Sequence, residues 1–465
     1  MTSSPTLQAV VLAAGLGTRM RSETIKVLHD LLGQPLIGHV VDAAVGAGCS
    51  RVVSVVGHQR EDVQAWLNDR DFDADLRFAV QHQQQGTADA VWAAREYFDD
   101  TADYTAILCG DVPNVDGPTL EAFVNDAIDA GAPVALITAI LDDPARYGRI
   151  VRGSQGEVEA IVEYADATAE IRAIDEINAG IYLVKTSFLA DGLARIMAGG
   201  ADNAQNEYYL TDLIALAAGA GGVFGWTIDD PRKIQGVNSR SDLAQATAYT
   251  REKINRAWMD QGVTFLDPRN TTVEAGVTLD QDVTLYPGVH LLGTTRVGSG
   301  SVIEPGCMVR DTTIGEGVHL KAHCYLHEAR VDDDSAIGPF AHLRPGADIG
   351  QNCKVGNFVE IKKTRLDDTA KASHLTYLGD AHIGRGANVG AGTITCNYDG
   401  QKKSRTTIGP GAFIGSNTAL VAPVTIGDGA YVGAGSVITD DIPDRALGVA
   451  RGRQRTIEGW ADKKS

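Results

Sequence analysis

From Val273 onward an aliphatic residue returns at every sixth position: Val273, Leu279, Leu285, Leu291, Val297 and Ile303. The phase breaks, then resumes through Val331, Ile337, Leu343, Ile349, Val355 and Ile361, and again through Ile408, Ile414, Leu420, Ile426, Val432 and Ile438. Glycine commonly follows the aliphatic, and four residues after it comes a small or branched side chain such as Val277, Ala341 or Ala412. A hexapeptide period of this length marks a parallel β-helix, in which each rung stacks its aliphatic on the rung below. Two interruptions, Thr364 to Ala381 and Thr395 to Thr407, are expected to protrude as loops, and excursions from a solenoid often carry function.

The first half of the chain has a different grammar. From Leu7 to about Gly236, buried-type strands such as Ala9 to Leu12, Val52 to Val56 and Ala106 to Leu108 alternate with helical stretches, which predicts a mostly parallel sheet with helices on both faces. Ser239 or Ser241 can cap a following helix whose apolar stripe is Leu243, Ala246, Ile254, Ala257 and Trp258. The predicted fold class is therefore α/β plus all-β. It comprises an N-terminal Rossmann-like domain over residues 1–238, a linker helix over 239–262 and a hexapeptide-repeat domain over 263–465. A chain of 465 residues exceeds what one core usually organises, in keeping with this division.

A formal charge of −19 argues against a general nucleic-acid or membrane-surface binder, so any anionic ligand must be captured by a local pocket. The six cysteines, Cys49, Cys109, Cys307, Cys324, Cys353 and Cys396, show neither a Cys-x-x-Cys pair nor zinc-like spacing, and buried free thiols in a reducing cytoplasm are expected. The apolar run Ala9 to Ala14 is far shorter than a membrane span.

The first strand runs into Leu12-Ala13-Ala14-Gly15-Leu16-Gly17-Thr18-Arg19-Met20, a Gly-rich turn whose amides can cradle phosphates. Met20 replaces the third glycine of the dinucleotide fingerprint, which disfavours a nicotinamide or flavin site. Arg19 and Lys26 supply cations that can neutralise a triphosphate as pyrophosphate leaves; either alone reads as a basic turn, the pair as catalytic. Gln81 to Gln85 precede Gly86-Thr87-Ala88, offering amides for a base edge and a glycine for close ring approach, although a Gln-rich surface loop fits this segment equally well. Asp111 follows a strand end in Cys109-Gly110-Asp111-Val112-Pro113, where open α/β sheets bind ligands, and its carboxylate suits Mg²⁺.

In the repeat region, an imidazole can serve as a general base near neutral pH. His374 suits that role and Glu360 can orient its ring. Arg344 and Lys362 can meet a phosphate, with Tyr377 and Asn388 as hydrogen-bond partners.

These motifs, with Tyr147-Gly148-Arg149-Ile150, Ile161-Val162-Glu163, Ile177-Asn178-Ala179-Gly180-Ile181-Tyr182, Glu207-Tyr208-Tyr209-Leu210-Thr211-Asp212 and Gly236-Val237-Asn238, resemble the sugar-phosphate nucleotidyltransferases. Together with the repeats and Gly390-Ala391-Gly392-Thr393-Ile394-Thr395-Cys396-Asn397-Tyr398-Asp399-Gly400, nearly the whole chain resembles one family. These are the bifunctional N-acetylglucosamine-1-phosphate uridyltransferases and glucosamine-1-phosphate N-acetyltransferases. The resemblance implies a left-handed β-helix and a uridylyl site. In that site Leu12, Ala13, Ala14, Gly15, Lys26, Gln81, Gly86, Thr87, Cys109 and Gly110 hold the nucleotide, Gly148, Glu163 and Asn178 hold the sugar, and Asp111 and Asn238 bind Mg²⁺. It implies an acetyl site with His374 as base, Arg344, Lys362, Tyr377 and Asn388 on the sugar phosphate, and Ala391, Asn397, Tyr398, Ser416, Ala434 and Arg451 on acetyl-CoA, with Lys403 beside them. The implied substrates are glucosamine-1-phosphate, N-acetylglucosamine-1-phosphate, UTP and acetyl-CoA, and the implied assembly is a homotrimer with shared acetyltransferase sites. Ile25, Cys109 and Ala165 stand where the family usually carries Pro, Tyr and Lys. A second reading keeps only uridylyl transfer and makes the β-helix a scaffold; the Asn397-Tyr398 and His374 segments argue against it.

Overall fold

A computed structural model describes residues 5–464, which divide into two compact units with the boundary between Thr250 and Arg251. In the first, seven strands lie side by side in the order Val223–Thr227, Val134–Ile140, Glu176–Lys185, Tyr104–Cys109, Leu7–Leu12, Cys49–Val56 and Asp75–Val80. Glu176–Lys185 runs antiparallel to both neighbours and the other pairings are parallel. A hairpin, Arg149–Arg152 with Val158–Val162, attaches to Glu176–Lys185. Strand alternation feeds two cores: Ala9, Val11, Ala106 and Leu108 pack on one face, while Val10 and Ile107 turn to the other, so both faces need helical cover. The chain winds outward from Leu7–Leu12 to Asp75–Val80, then returns on the opposite side at Tyr104–Cys109. That reversal leaves a crevice beyond the carboxyl ends of these two strands.

The helix Arg240–Asp260 begins with Ser239 Oγ accepting from the Asp242 amide at 3.2 Å, the first of the two caps expected. Leu243 and Ala246 pack in the first unit, and Ile254 and Trp258 in the second. Ala257, expected on the stripe, is exposed. Its place is taken by Asn255, wholly buried, whose amide donates to Pro268 O at 2.8 Å and Thr271 O at 2.9 Å.

The second unit is a stack of short parallel strands whose aliphatics form one continuous core. Every repeat aliphatic named from the sequence is at most 4 % exposed, and Val277, Ala341 and Ala412 are buried as well. The phase breaks have a simple cause: at Val309–Ile314, Leu326–Val331, Ile361–Leu366 and Leu378–Ile383 the aliphatic returns after five residues rather than six, and all eight side chains are buried. A five-residue step shortens a coil by one residue without leaving the stack.

This corrects one expectation. Residues 364–381 do not protrude: Thr364–Leu366, Lys371–Gly379 and Ala381–Ile383 are strands of an ordinary coil, and Lys354–Lys362 pairs with Lys371–Gly379 along its length. The second interruption does leave the stack. Ala381 pairs with Thr406, whereas the next coil pairs Thr406 with Val424, and the extra residues form a hairpin closed by a Tyr398–Lys403 bridge and by Ser404 N–H on Asn397 O at 2.9 Å.

Candidate active sites

The crevice of the first unit holds a cavity of about 260 Å³ lined by Leu12, Ala13, Ala14, Gly15, Lys26, Gln81, Gly86, Thr87, Cys109 and Asp111, with Gln84 and Glu207 among the additional walls. Ten of the sequence-predicted residues thus meet in one place. Gly110 fixes the wall behind them, its amide donating to Leu12 O at 2.9 Å. Gly86 is obligatory, because its φ is 117° and a Cβ there would lie 2.4 Å from Tyr208 O. Gln81 spends its amide on Gly86 O at 3.2 Å and Asp89 Oδ2 at 2.8 Å, so it braces the loop and leaves its own oxygen for a ligand.

Lys26 Nζ pairs with Asp111 Oδ2 and donates to Asn238 Oδ1 at 3.1 Å, which brings both candidate metal ligands to one point. Asn238 reaches it from the loop before the helix Arg240–Asp260, where its backbone N–H donates to Asp242 Oδ2 at 2.9 Å. Gly148, Glu163 and Asn178 form an adjoining group: the Asn178 amide donates to Gly148 O at 2.9 Å, and a Cβ on Gly148 would lie 3.4 Å from either Glu163 oxygen. Burial, then the neighbouring Asp166, Glu207 and Asp212, hold the Glu163 carboxyl above its usual range against a hydrogen bond from Thr211. Cys109 joins the two groups, its thiol directed to Gly180 O at 3.4 Å. Arg19 stays apart, exposed on the short turn Thr18–Met20 and absent from the cavity wall. The thiols do not all lie in the core: Cys109 and Cys396 are half-buried.

On the β-helix, His374 Nδ1 lies 2.7 Å from Asn357 Oδ1. Glu360 does not take the orienting role. Strand register sets Asn357 opposite His374 and Glu360 opposite Tyr377, and the Glu360 carboxylate accepts from Arg344 Nη1 at 2.7 Å instead. With Asn357 Oδ1 as acceptor, the Nδ1 nitrogen carries the proton and the Nε2 lone pair remains open on an exposed ring. Asn357 precedes His374 by one 17-residue coil, so counting coils rather than motifs would have found it.

Above His374 the candidate donor-binding residues climb one corner. Gly392 N–H bonds His374 O at 3.4 Å, Asn417 N–H bonds Ala391 O at 2.7 Å and Gly435 N–H bonds Ser416 O at 2.8 Å. Arg451 Nη1 closes the series on Ala434 O at 2.8 Å.

Tyr377 and Asn397 meet over Gly379, where a Cβ would lie 2.4 Å from the phenol oxygen and 2.8 Å from the amide nitrogen. Asp380 accepts from Asn397 Nδ2 at 2.5 Å. The Lys403 ammonium beside Lys362, with Arg344 further off, pushes the Lys362 pKa down, a like-charge contact that an anion would relieve. The exposed Tyr398 hydroxyl donates to Gly400 O at 2.6 Å within the hairpin. Asn388 is on another ladder: it pairs with Lys371 and Phe413, whereas Tyr377 pairs with Glu360 and Ile394.

Residues 8–262 match the nucleotidyl transferase family, and residues 328–363 and 405–440 match the bacterial transferase hexapeptide repeats. The chain is 46 % identical to the bifunctional protein GlmU of Trichlorobacter lovleyi over 98 % of both chains. It is 45 % identical to that of Geotalea uraniireducens over 98 % of this chain and 99 % of the relative. To that of Anaeromyxobacter sp. it is 48 % identical over all of this chain and 94 % of the relative.

Proposed function

The chain belongs to the GlmU family of bifunctional proteins, and on that premise we infer that it carries out two successive transfers ending in UDP-N-acetylglucosamine. The β-helical unit moves an acetyl group from acetyl-CoA to glucosamine-1-phosphate. The N-terminal unit then moves a uridylyl group from UTP to N-acetylglucosamine-1-phosphate and releases pyrophosphate. The observation that carries this reading is the presence of two separate clusters in one chain: the crevice around Lys26 and Asp111, and the His374 corner with the cations Arg344, Lys362 and Lys403 on the same coils. The alternative of a uridylyltransferase on an inert scaffold is disfavoured by relatives that are bifunctional over the same length.

For acetyl transfer, Arg344, Lys362, Tyr377 and Asn388 hold the sugar phosphate, with Lys403 next to Lys362 on the donor side, while His374 Nε2 takes a proton from the sugar amine as it attacks the thioester carbonyl and the CoA thiolate leaves. Asn357 keeps the ring in the tautomer that can accept. Ala391 and Ala434 leave room for the donor's arm along the corner. The full set of acetyl residues spans two ladders, with Asn388 away from Tyr377, which supports a homotrimer whose sites a neighbouring copy completes.

For uridylyl transfer, the amides of the Leu12 to Gly15 turn hold the nucleotide, and the sugar phosphate oxygen attacks the α-phosphorus in line as Lys26 stabilises the departing charge; Arg19, expected to share that role, lies outside the cavity wall. Asp111 Oδ2 and Asn238 Oδ1 are two hard oxygen donors that meet at one point, a donor set that would fit Mg²⁺. When bound, Mg²⁺ supplies positive charge to the phosphates. We place the protein in the cytoplasm, in keeping with its free thiols; among the described residues no helix is long and apolar enough to cross a membrane.

A coupled assay tests the whole reading: protein, glucosamine-1-phosphate, acetyl-CoA, UTP and Mg²⁺, with free CoA thiol and pyrophosphate followed separately. Release of both is expected. Pyrophosphate appearing only when N-acetylglucosamine-1-phosphate is supplied, with no CoA released, would overturn the acetyl assignment.

A further inference from the structure

Lys26 has two partners in this chain, and they are the same two side chains that the reading above gives to the metal. Its ammonium pairs with Asp111 Oδ2 and donates to Asn238 Oδ1 at 3.1 Å; Lys26 and Asp111 line the crevice, and Asn238 reaches them through the lysine. The lysine and aspartate side chains are only 13 % and 19 % exposed, so this is a partly desolvated contact rather than a loose surface pair. A dication cannot enter while those bonds stand. Mg²⁺ binds oxygen at about 2.1 Å, and an ammonium at hydrogen-bond distance from the same carboxylate and amide oxygens occupies that space and repels the incoming charge.

We propose that Lys26 is the resident counter-ion of the metal site: it neutralises Asp111 and orients Asn238 until a divalent cation displaces it, and the displaced side chain then swings into the nucleotide cavity. The lysine is placed to make that move. A Cβ on Gly17 would lie 2.6 Å from Lys26 Cβ, so the Gly-rich turn holds the base of the side chain closely and motion is left to the flexible tip. Lys26 also lines the same cavity as Gly15, Gly86 and Thr87, so a rotation about its outer bonds carries the ammonium toward the nucleotide without moving the backbone. Metal entry and delivery of a cation to the phosphates thereby become one event, and the site bears neither an uncompensated carboxylate before binding nor two crowded cations after it.

The proposal rests on the metal assignment of Asp111 and Asn238, and the test separates the two. Mn²⁺ alone, without nucleotide, is titrated into the full chain and followed by electron paramagnetic resonance. Lys26→Met should bind Mn²⁺ at least about tenfold more tightly than the unaltered chain, and Lys26→Gln should do the same. Asp111→Asn should bind it more weakly. If Asp111→Asn leaves Mn²⁺ affinity unchanged, the metal assignment itself is wrong. If Asp111→Asn weakens binding but neither Lys26 variant tightens it, the exchange alone is overturned. A second readout needs no variant: labelling of Lys26 by an amine-reactive reagent, read by mass spectrometry, should rise severalfold when Mn²⁺ is added. Labelling that stays level or falls would refute displacement.

Discussion

Replacing Asn357 probes the contact that orients His374 for its proposed role as a base. Removing the acceptor with Asn357→Ala costs a hydrogen bond worth about 1 kcal/mol net, or roughly fivefold, in kcat for acetyl transfer through loss of ring orientation. Asn357→Asp keeps an acceptor and adds a charge beside a ring that is exposed to water. The sign is fixed: a carboxylate next to Nδ1 favours the imidazolium, so a smaller fraction of His374 is unprotonated at any given pH and the acid limb of kcat moves to higher pH. An exposed ion pair contributes about 0.2–1 kcal/mol, and at about 1.4 kcal/mol per unit the limb should move up by roughly 0.1–0.7. Acetyl transfer is assayed by CoA thiol release from pH 5.5 to 9, with pyrophosphate release as the internal check on folding. The reasoning fails if Asn357→Ala retains full activity at every pH, or if Asn357→Asp moves the limb downward.

His374→Ala should lower acetyl transfer by about 10² to 10⁴ and leave uridylyl transfer intact; equal loss of both in the two assays would refute separate sites. Gly86→Ala should cost about 2 kcal/mol of stability or more and depress uridylyl transfer, since its 117° φ and the 2.4 Å approach to Tyr208 O leave no room for a methyl; urea unfolding checks the first effect. Burial and the adjacent carboxylates raise Glu163 in the folded chain, so the folded state holds a proton that the unfolded state has released, and stability is lost as pH rises from the ordinary carboxylate range through the raised value. Glu163→Gln should remove that loss, giving a chain more stable than the unaltered one at pH 7 but nearly equal to it at pH 4 in denaturant titrations.

The β-helix was legible because its signal is a strict period, and buried aliphatics at Val273 through Ile438 bear it out. What period alone missed was the five-residue step. Ile361–Leu366 and Leu378–Ile383 look like a broken repeat in the sequence, yet a parallel coil absorbs a missing residue at a corner and keeps its core. The gathering of residues in the crevice around Lys26 and Asp111 was legible because glycines at close approaches and a carboxylate at a strand end are local signals. Contacts between coils were not. Glu360 and Asn357 both lie within a short run before His374, and only pairing register decides which faces the ring. Ser301 and Ser335 were silent for the same reason: these buried hydroxyls donate across coils to Gly315 O at 2.8 Å and Gly350 O at 2.7 Å.

With acetyl-CoA lying as proposed, the corner that rises from His374 through Ala391 and Ser416 to Ala434 would work as a measuring stick. Its marks are spaced by the distance between parallel strands, so three steps reach about 14 Å from the base, and Arg451 stands at the far end. A thioester cut short after a few atoms would present the same carbonyl to His374 but touch none of the upper marks. Because binding energy gathered far from the reacting bond holds that bond in place, such a donor should lose turnover as well as affinity. On that proposed path the spacing of the coils would select among acyl carriers by length, a property that comes from the backbone repeat alone.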